Sequence, residues 1–336
     1  MRLKWFFVAL VGYSWLFKSL HAAPPSDNVL HIEPAGVLRV GKQPKQIGIT
    51  PNGKKAYVTN FGEKSVDVLD LSTFRVYRRI KTGGAPVEVA FTPNGRYTFI
   101  TNFSPGALWQ IDTHTDQIVR TIKGHLYPKG VAVRPDGREV AFSSWWWPKG
   151  YLAFVDIETG TVRQTMRVGN RPRGLVYSAD GRTVYLCHFG GEGAKEGVGL
   201  GIIDRRRAVL SNMVVSGRNT RHTVLSPNGK IVYASNTGSA TIAAIDAKTG
   251  RILRRIRVGA WPKTIDVTRD GRWLFSANYA GRSLSIVDLQ HGRESTRLPM
   301  PDRLSGLALS PNNQHLYATG WDTGRVWRWR LVFPQK

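Results

Sequence analysis

Pro44-Lys45-Gln46-Ile47-Gly48-Ile49-Thr50-Pro51-Asn52-Gly53-Lys54-Lys55-Ala56-Tyr57-Val58-Thr59-Asn60 sets two runs of alternating polarity around a Pro-Asn-Gly turn. Alternation with a period of two reads as strand, and Asn-Gly reads as a hairpin turn, both of whose positions tolerate positive φ. Two more strand-like runs follow, Ser65 to Leu71 and Arg75 to Thr82. The turn then recurs as Pro93-Asn94-Gly95, Pro135-Asp136-Gly137, Ala179-Asp180-Gly181, Pro227-Asn228-Gly229, Arg269-Asp270-Gly271 and Pro311-Asn312-Asn313. Successive turns end 42, 42, 44, 48, 42 and 42 residues apart. Helical spacing of apolar residues is absent, and Pro and Gly recur where long helices would break. Four short strands per unit, seven times over, predict an all-β fold: a seven-bladed β-propeller with four antiparallel strands per blade.

The seventh unit runs out after Leu316 to Thr319 and Arg325 to Leu331, one strand short. Gly36-Val37-Leu38-Arg39-Val40-Gly41 resembles the outer-strand endings Arg167-Val168-Gly169 and Arg257-Val258-Gly259. The N-terminal strand is therefore expected to complete the last blade, which protects the sheet edges.

Composition limits the function classes. The 336 residues include 48 Lys+Arg and 23 Asp+Glu, a formal charge of +25, with 11 Trp, 11 Tyr and 13 Phe. Such a chain is too apolar and aromatic for a disordered tail. One cysteine, Cys187, excludes an internal disulfide and a cysteine-built metal centre. Arg2 and Lys4, the apolar run Trp5 to Phe17, and Leu20-His21-Ala22 read as a secretory signal over residues 1–22. Residues 23–35 read as a linker and 36–336 as the propeller. The expected location is the periplasm or the cell exterior, with a monomer as the expected state.

Tyr57-Val58-Thr59-Asn60, echoed by Ile100-Thr101-Asn102, Ala234-Ser235-Asn236 and Ser276-Ala277-Asn278, resembles the YVTN family of β-propellers over roughly residues 36–331. Units four and seven depart from it, with Cys187-His188 and Thr319-Gly320. The resemblance implies an exported propeller. It is similar to the propellers of haem-d-type nitrite reductases, to quinoprotein-associated periplasmic proteins and to lactonase-like propellers. The ligands and roles so implied span nucleic acid, cell surfaces and redox cofactors, and fold alone does not choose among them.

Counting from the third turn residue sharpens the reading. Eight residues before it stand Lys45, Val87, Lys129, Arg173, Arg221, Lys263 and Ser305, with Arg303 nearby. Eight residues after it stand Phe61, Phe103, Trp145, Phe189, Thr237, Tyr279 and Trp321. Both positions fall on the face opposite the turns, where inner strands surround the channel. A basic collar ringed by aromatics is expected there, with His125, Tyr127, Trp146, Trp147 and Trp261 in loops of the same face. Such a collar suits an anionic ligand with a flat face: single-stranded nucleic acid, a tetrapyrrole or a quinone. The plainer alternatives are aromatics that wedge blades apart and charges that are merely solvated.

Catalytic signals are sparse. Glu88 and Asp266 on inner strands are candidate bases or metal ligands, or else buried acids paired with Lys129 or Lys263. Asn60, Asn102, Asn236 and Asn278 would offer oxygen to calcium in a lactonase-like arrangement, or cap turns. His188 and His222 are the metal candidates, with Glu192 or Glu196 of the Gly190 to Gly201 loop completing the set. No cofactor is expected on the leading reading. The alternatives are a haem-like or quinone group, or calcium, with a periplasmic redox partner. The basic runs Arg78-Arg79, Arg205-Arg206-Arg207 and Arg254-Arg255 discourage edge pairing, or form an extended polyanion track, and the charge of the whole molecule would draw in nucleic acid or an anionic glycolipid surface non-specifically.

Overall fold

The computed structural model describes residues 29–123, 127–145, 150–190 and 199–334. The expected signal segment, His125, Trp146, Trp147, Glu192 and Glu196 lie outside the described residues. Seven four-stranded antiparallel sheets follow one another around a central axis. Blade one comprises Pro44–Ile49, Lys55–Asn60, Ser65–Asp70 and Arg75–Lys81. Blade seven comprises Leu304–Leu309, His315–Gly320 and Arg325–Val332, and its outer strand is His31–Arg39 from the other end of the chain. That strand begins inside the segment read as a linker, and its pairing slips once, between Pro34 and Gly36.

Each blade buries apolar side chains on both faces, and the core divides into seven clusters that each span two adjacent blades. One joins Tyr57, Val66 and Val68 of blade one to Ile100, Trp109 and Ile111 of blade two. Another joins Trp273 and Phe275 of blade six to Trp327, Trp329 and Leu331 of blade seven. Ile47 and Val58 of blade one meet Tyr317 and Val326 of blade seven, so the ring is closed.

The Pro-Asn-Gly turn differs from a two-residue hairpin in one respect. Only its third residue takes positive φ, 71° at Gly53 and 57° at Asn313. The Gly53 N–H bonds the Thr50 carbonyl at 2.8 Å, while the Asn52 side-chain oxygen accepts the Lys54 N–H at 3.0 Å and the Thr50 hydroxyl at 2.7 Å. The asparagine is thus selected for its side chain, which explains why aspartate replaces it at 136, 180 and 270.

Leu30, fully buried among the tryptophans of blade seven, anchors the closing strand. Leu30→Ala should cost about 2–5 kcal/mol, read by chemical denaturation. Removal of residues 30–41 should abolish the cooperative transition; an unchanged melting curve would show that the ring closes without this strand.

Candidate functional site

The channel mouth is built from a hairpin irregularity repeated in every blade. In blade one Pro44 pairs with Asn60, but the next paired residue is Gln46, opposite Thr59. The same slip follows Pro86, Pro128, Pro172, Thr220, Pro262 and Leu304. Lys45 is therefore the extra residue of a β-bulge, and so are its six counterparts. A bulge re-aims its side chain. The pairing beyond it lies one residue off the symmetric register expected from the turn.

The bulge is held by the third residue of the YVTN motif. The Thr59 hydroxyl accepts the Gln46 N–H at 3.0 Å and donates to the Val87 carbonyl of the next blade at 2.9 Å. Thr101 does the same between Glu88 N–H and the Lys129 carbonyl, and Ser143 between Gly130 N–H and the Arg173 carbonyl. At the ring closure, Ser305 donates to the Pro44 carbonyl and lies 2.9 Å from the Thr319 hydroxyl.

A second backbone contact places the aromatics. The N–H groups of Phe61, Phe103, Trp145, Phe189, Thr237, Tyr279 and Trp321 bond the carbonyls of Gln43, Ala85, Tyr127, Arg171, Asn219, Trp261 and Arg303, at 2.8–3.2 Å. Gln43, Tyr127, Arg171, Asn219 and Trp261 are left-handed, with φ from 48° to 59°. This third ring, two residues before each collar position, is strained backbone gathered at one face. Sequence reasoning noted Tyr127, Trp261 and Arg303 singly. Counting two residues back from each cation would have found its five left-handed members, Arg171 included.

Cations and rings interleave as expected. Lys45 lies 4.6 Å from the Phe61 ring, and Lys129 is 3.7 Å from Phe103 and 5.7 Å from Trp145. Arg173 sits 5.2 Å from Trp145 and 4.7 Å from Phe189, and Arg221 5.9 Å from Phe189. Lys263 lies 4.2 Å from Tyr279 and 4.8 Å from Trp321. Phe61 touches both Phe103 and Trp321, at 6.3 and 5.9 Å. The rings thus serve as blade wedges and as seats for cations at once. Arg303 is different: it is paired with Asp322 on the outer rim.

Within the mouth the charges are one-sided. Glu88 faces Arg221, Lys45, Arg173 and Lys129; burial pushes its carboxyl up while those four cations pull it down. Burial, Arg221 and Arg173 push Lys45 down to about 7, against the opposing pull of Glu88. Burial first, then neighbouring cations, also lowers Lys129 and Lys263. The buried Nε of Arg173 and the indole N–H of Trp145 have no hydrogen-bond partner among the described residues.

The other candidates are used structurally. Both Asp266 oxygens accept backbone N–H groups, from Val267 at 2.8 Å and Leu309 at 2.9 Å. Burial raises this carboxyl to about 6. It ties blade six to blade seven rather than pairing with Lys263 or Lys129. Asn60, Asn102, Asn236 and Asn278 pack on Gly41, Gly84, Gly217 and Gly259, where a Cβ would approach each asparagine to 2.4–2.6 Å. Blade seven exchanges the partners, with Asp302 against Gly320. These asparagines seat four separate corners, so they do not form a calcium cage. His188 is fully buried, its ring against Gly201 of its own blade, with neither nitrogen hydrogen-bonded among the described residues. His222 instead lies beside Gly174 and approaches the Ile265 N–H at 3.5 Å. Burial lowers both to about 4, which keeps them neutral. No group of three His, Cys, Asp or Glu suited to a metal occurs among the described residues.

On the opposite face, a groove of about 610 Å³ is lined by Arg134, Asp136, Asp180, Arg182, Arg205 and Arg206. There Arg134 pairs with Asp136, Arg182 with Asp180, and Arg205 with Glu139.

The chain is similar to the seven-bladed β-propeller lactonases over residues 204–302. It is also 25% identical over 186 residues to antigen Lp49 of Leptospira interrogans, a match covering 51% of this chain and 41% of that protein. The chain thus spans less than half the length of that relative. Among solved structures it is similar to Kuenenia stuttgartiensis hydrazine synthase, with a TM-score of 0.79 at 17% identity, covering 90% of this chain and 99% of the other. At that identity the likeness establishes the propeller fold.

Thr101→Val should leave the Glu88 N–H and Lys129 carbonyl without their partner and cost about 1–3 kcal/mol for each group. Thr101→Ser keeps the hydroxyl and should stay near wild type. Equal loss in both, measured by urea denaturation, would show that side-chain packing rather than the hydroxyl holds the bulge.

Proposed function

We propose that this protein binds a small, multiply charged anion with a flat apolar portion at the bulge-lined mouth of its channel. One observation carries the reading: five cations, Lys45, Lys129, Arg173, Arg221 and Lys263, sit against the aromatic rings of the channel mouth, and one carboxylate, Glu88, faces four of them. Concentrating like charges in a partly desolvated site is costly, and a bound anion reverses that cost. The aromatic seats supply the flat contact. The mouth suits an anion entering the channel better than a strand of nucleic acid crossing the face, because Lys129 is 7% exposed. In this reading the protein is an exported binding protein.

A second reading, lactonase-like hydrolysis, is favoured by the match over residues 204–302. It predicts turnover of simple lactones and a stoichiometric divalent cation in the purified protein. Elemental analysis and a lactone hydrolysis assay separate the two readings.

Calorimetric titration with sulfate, oxalate and a planar polycarboxylate tests the binding reading. Binding is expected for wild type and should weaken at least tenfold in Arg173→Ala/Arg221→Ala, about 1.4 kcal/mol. Retained affinity would move the site elsewhere. Affinity should also fall as pH rises through about 7, by up to about tenfold per unit while Lys45 loses its proton. Ligand-free stability should move the other way. Because the Lys45 ammonium is less basic folded than unfolded, the unfolded chain holds the extra proton between about 7 and the ordinary lysine value of 10.5. This group's contribution therefore rises with pH across that window. Anion affinity that is flat between these limits would refute a role for Lys45 protonation.

A further inference from the structure

Most exposed large apolar side chains, such as Tyr77, Val119 and Leu253, lie on outer strands. Trp261 is 52% exposed, yet it stands two residues before the collar residue Lys263 and borders the mouth. Its backbone is left-handed, with φ of 56°, a costly conformation for a bulky residue. Two bonds hold it, from the Tyr279 N–H to the Trp261 carbonyl and from the Gly281 N–H to the Ala260 carbonyl, both at 2.9 Å. The indole stacks on the Tyr279 ring, with centroids 6.3 Å and planes 21° apart. Tyr279 is in turn 6.1 Å from Trp321, and the Lys263 ammonium lies against both, 4.2 Å and 4.8 Å from their centroids. Beside this row, Asp322 accepts hydrogen bonds from Arg282 at 3.0 Å and from Arg303 at 2.8 Å, and Arg303 lies 4.9 Å from the Tyr279 ring. An open aromatic platform, an ammonium without an ion pair among the described residues and a polar network thus adjoin at the junction of blades six and seven.

Resting on the reading that the collar binds anions, we propose that the ligand is a short acidic saccharide, with one sugar ring lying on Trp261 and the carboxylate of the next at Lys263. A group on an open platform has one face against the indole and the other in water. A pyranose suits both. Its C–H groups, polarised by the neighbouring oxygens, meet the negative face of the indole, while the hydroxyls at its rim stay hydrated. A flat aryl acid in the same place would leave a second apolar face in water. The hydroxyls also find donors and acceptors in the Arg282, Asp322 and Arg303 network. The carboxylate pairs with Lys263, whose ammonium rests on two rings. Carboxylates further along the saccharide meet Arg221 and Arg173, the next cations round the collar in blades five and four. Trp261 marks the rim end of the site and the cations its inner end.

The test titrates the full chain with trigalacturonate, with cellotriose as a neutral trimer, with trimesate as a flat aromatic acid of the same charge, and with oxalate. Trigalacturonate should bind at least about tenfold more tightly than cellotriose or trimesate, and Trp261→Ala should weaken it at least about tenfold. Trp261→Phe, which keeps a flat face, should weaken it less. Oxidation by N-bromosuccinimide, read by peptide mapping, should modify Trp261 in the free chain and spare it under saturating trigalacturonate. That footprint uses the wild-type protein, so it stands whether or not a variant folds. Trimesate or cellotriose binding as tightly as trigalacturonate, or Trp261 oxidised equally with and without it, would overturn the saccharide proposal; oxalate or trimesate binding would still leave the anion site standing. Failure of every anion to bind would overturn the anion reading, and the saccharide with it.

Discussion

One hydroxyl at the inner end of a blade constrains much of the rest. Thr59, Thr101 and Ser143 each accept an N–H from their own bulge and donate to the bulge carbonyl of the next blade. A single oxygen thus fixes a local irregularity and joins adjacent sheets. Because the same carbonyls belong to Val87, Lys129 and Arg173, the atoms that close the ring also place the collar residues. In blades one to three, stability and site geometry are coupled at one atom per blade. Where the hydroxyl is replaced, as by Ala277 in blade six, Thr264 supplies the donor to the Ser305 carbonyl instead. The inter-blade bond therefore outlasts the motif residue.

This coupling makes it possible for the mouth to hold like charges. Each collar side chain leaves a backbone already bonded on both sides, and most lie against an aromatic face. Cation–π contacts at 3.7–5.9 Å offset part of the desolvation. The seven apolar clusters between blades carry the folding free energy, so the collar need not contribute to it. Some arginines elsewhere are neutralised locally: Arg79 by Asp67 and Glu63, Arg205 by Glu139, Arg330 by Glu33.

The turn period, the four-strand unit and the borrowed closing strand were all legible in the sequence, because each rests on a pattern that backbone physics repeats. The collar was legible too, since counting from the turn glycine carries equivalent residues to equivalent places. What could not be read was the bulge. It adds a residue to one strand without a Gly or Pro signature of its own, since Pro44 precedes it and the selecting hydroxyl sits fifteen positions after Pro44 in Thr59. The packing role of the motif asparagines was hidden for a related reason. Their partners are glycines such as Gly41 and Gly259, and a glycine gives no hint of which side chain fills the space beside it. His188 and His222 are neighbours only in blade number. Leu186 lies in the cluster shared with blade three and Cys187 in that shared with blade five, so alternation turns His188 toward blade three.

The departures from sevenfold symmetry bear most on function. Blades one, three, four, five and six supply cations, while blade two offers Val87 and Glu88 and blade seven the buried Ser305. Blade five lacks the ring, with Thr237 opening a short 3-10 turn. A polyanion gliding over the face would need only a uniform belt of charge. A belt interrupted by one acid at blade two and one missing ring at blade five instead defines a direction across the mouth. Opposite charges reward a ligand that turns its own positive or proton-donating edge toward Glu88 and its anionic edge toward Arg173 and Arg221. Sevenfold repetition built the frame; the few positions that break it give the site an orientation, which a single small ligand can use and a featureless polymer cannot.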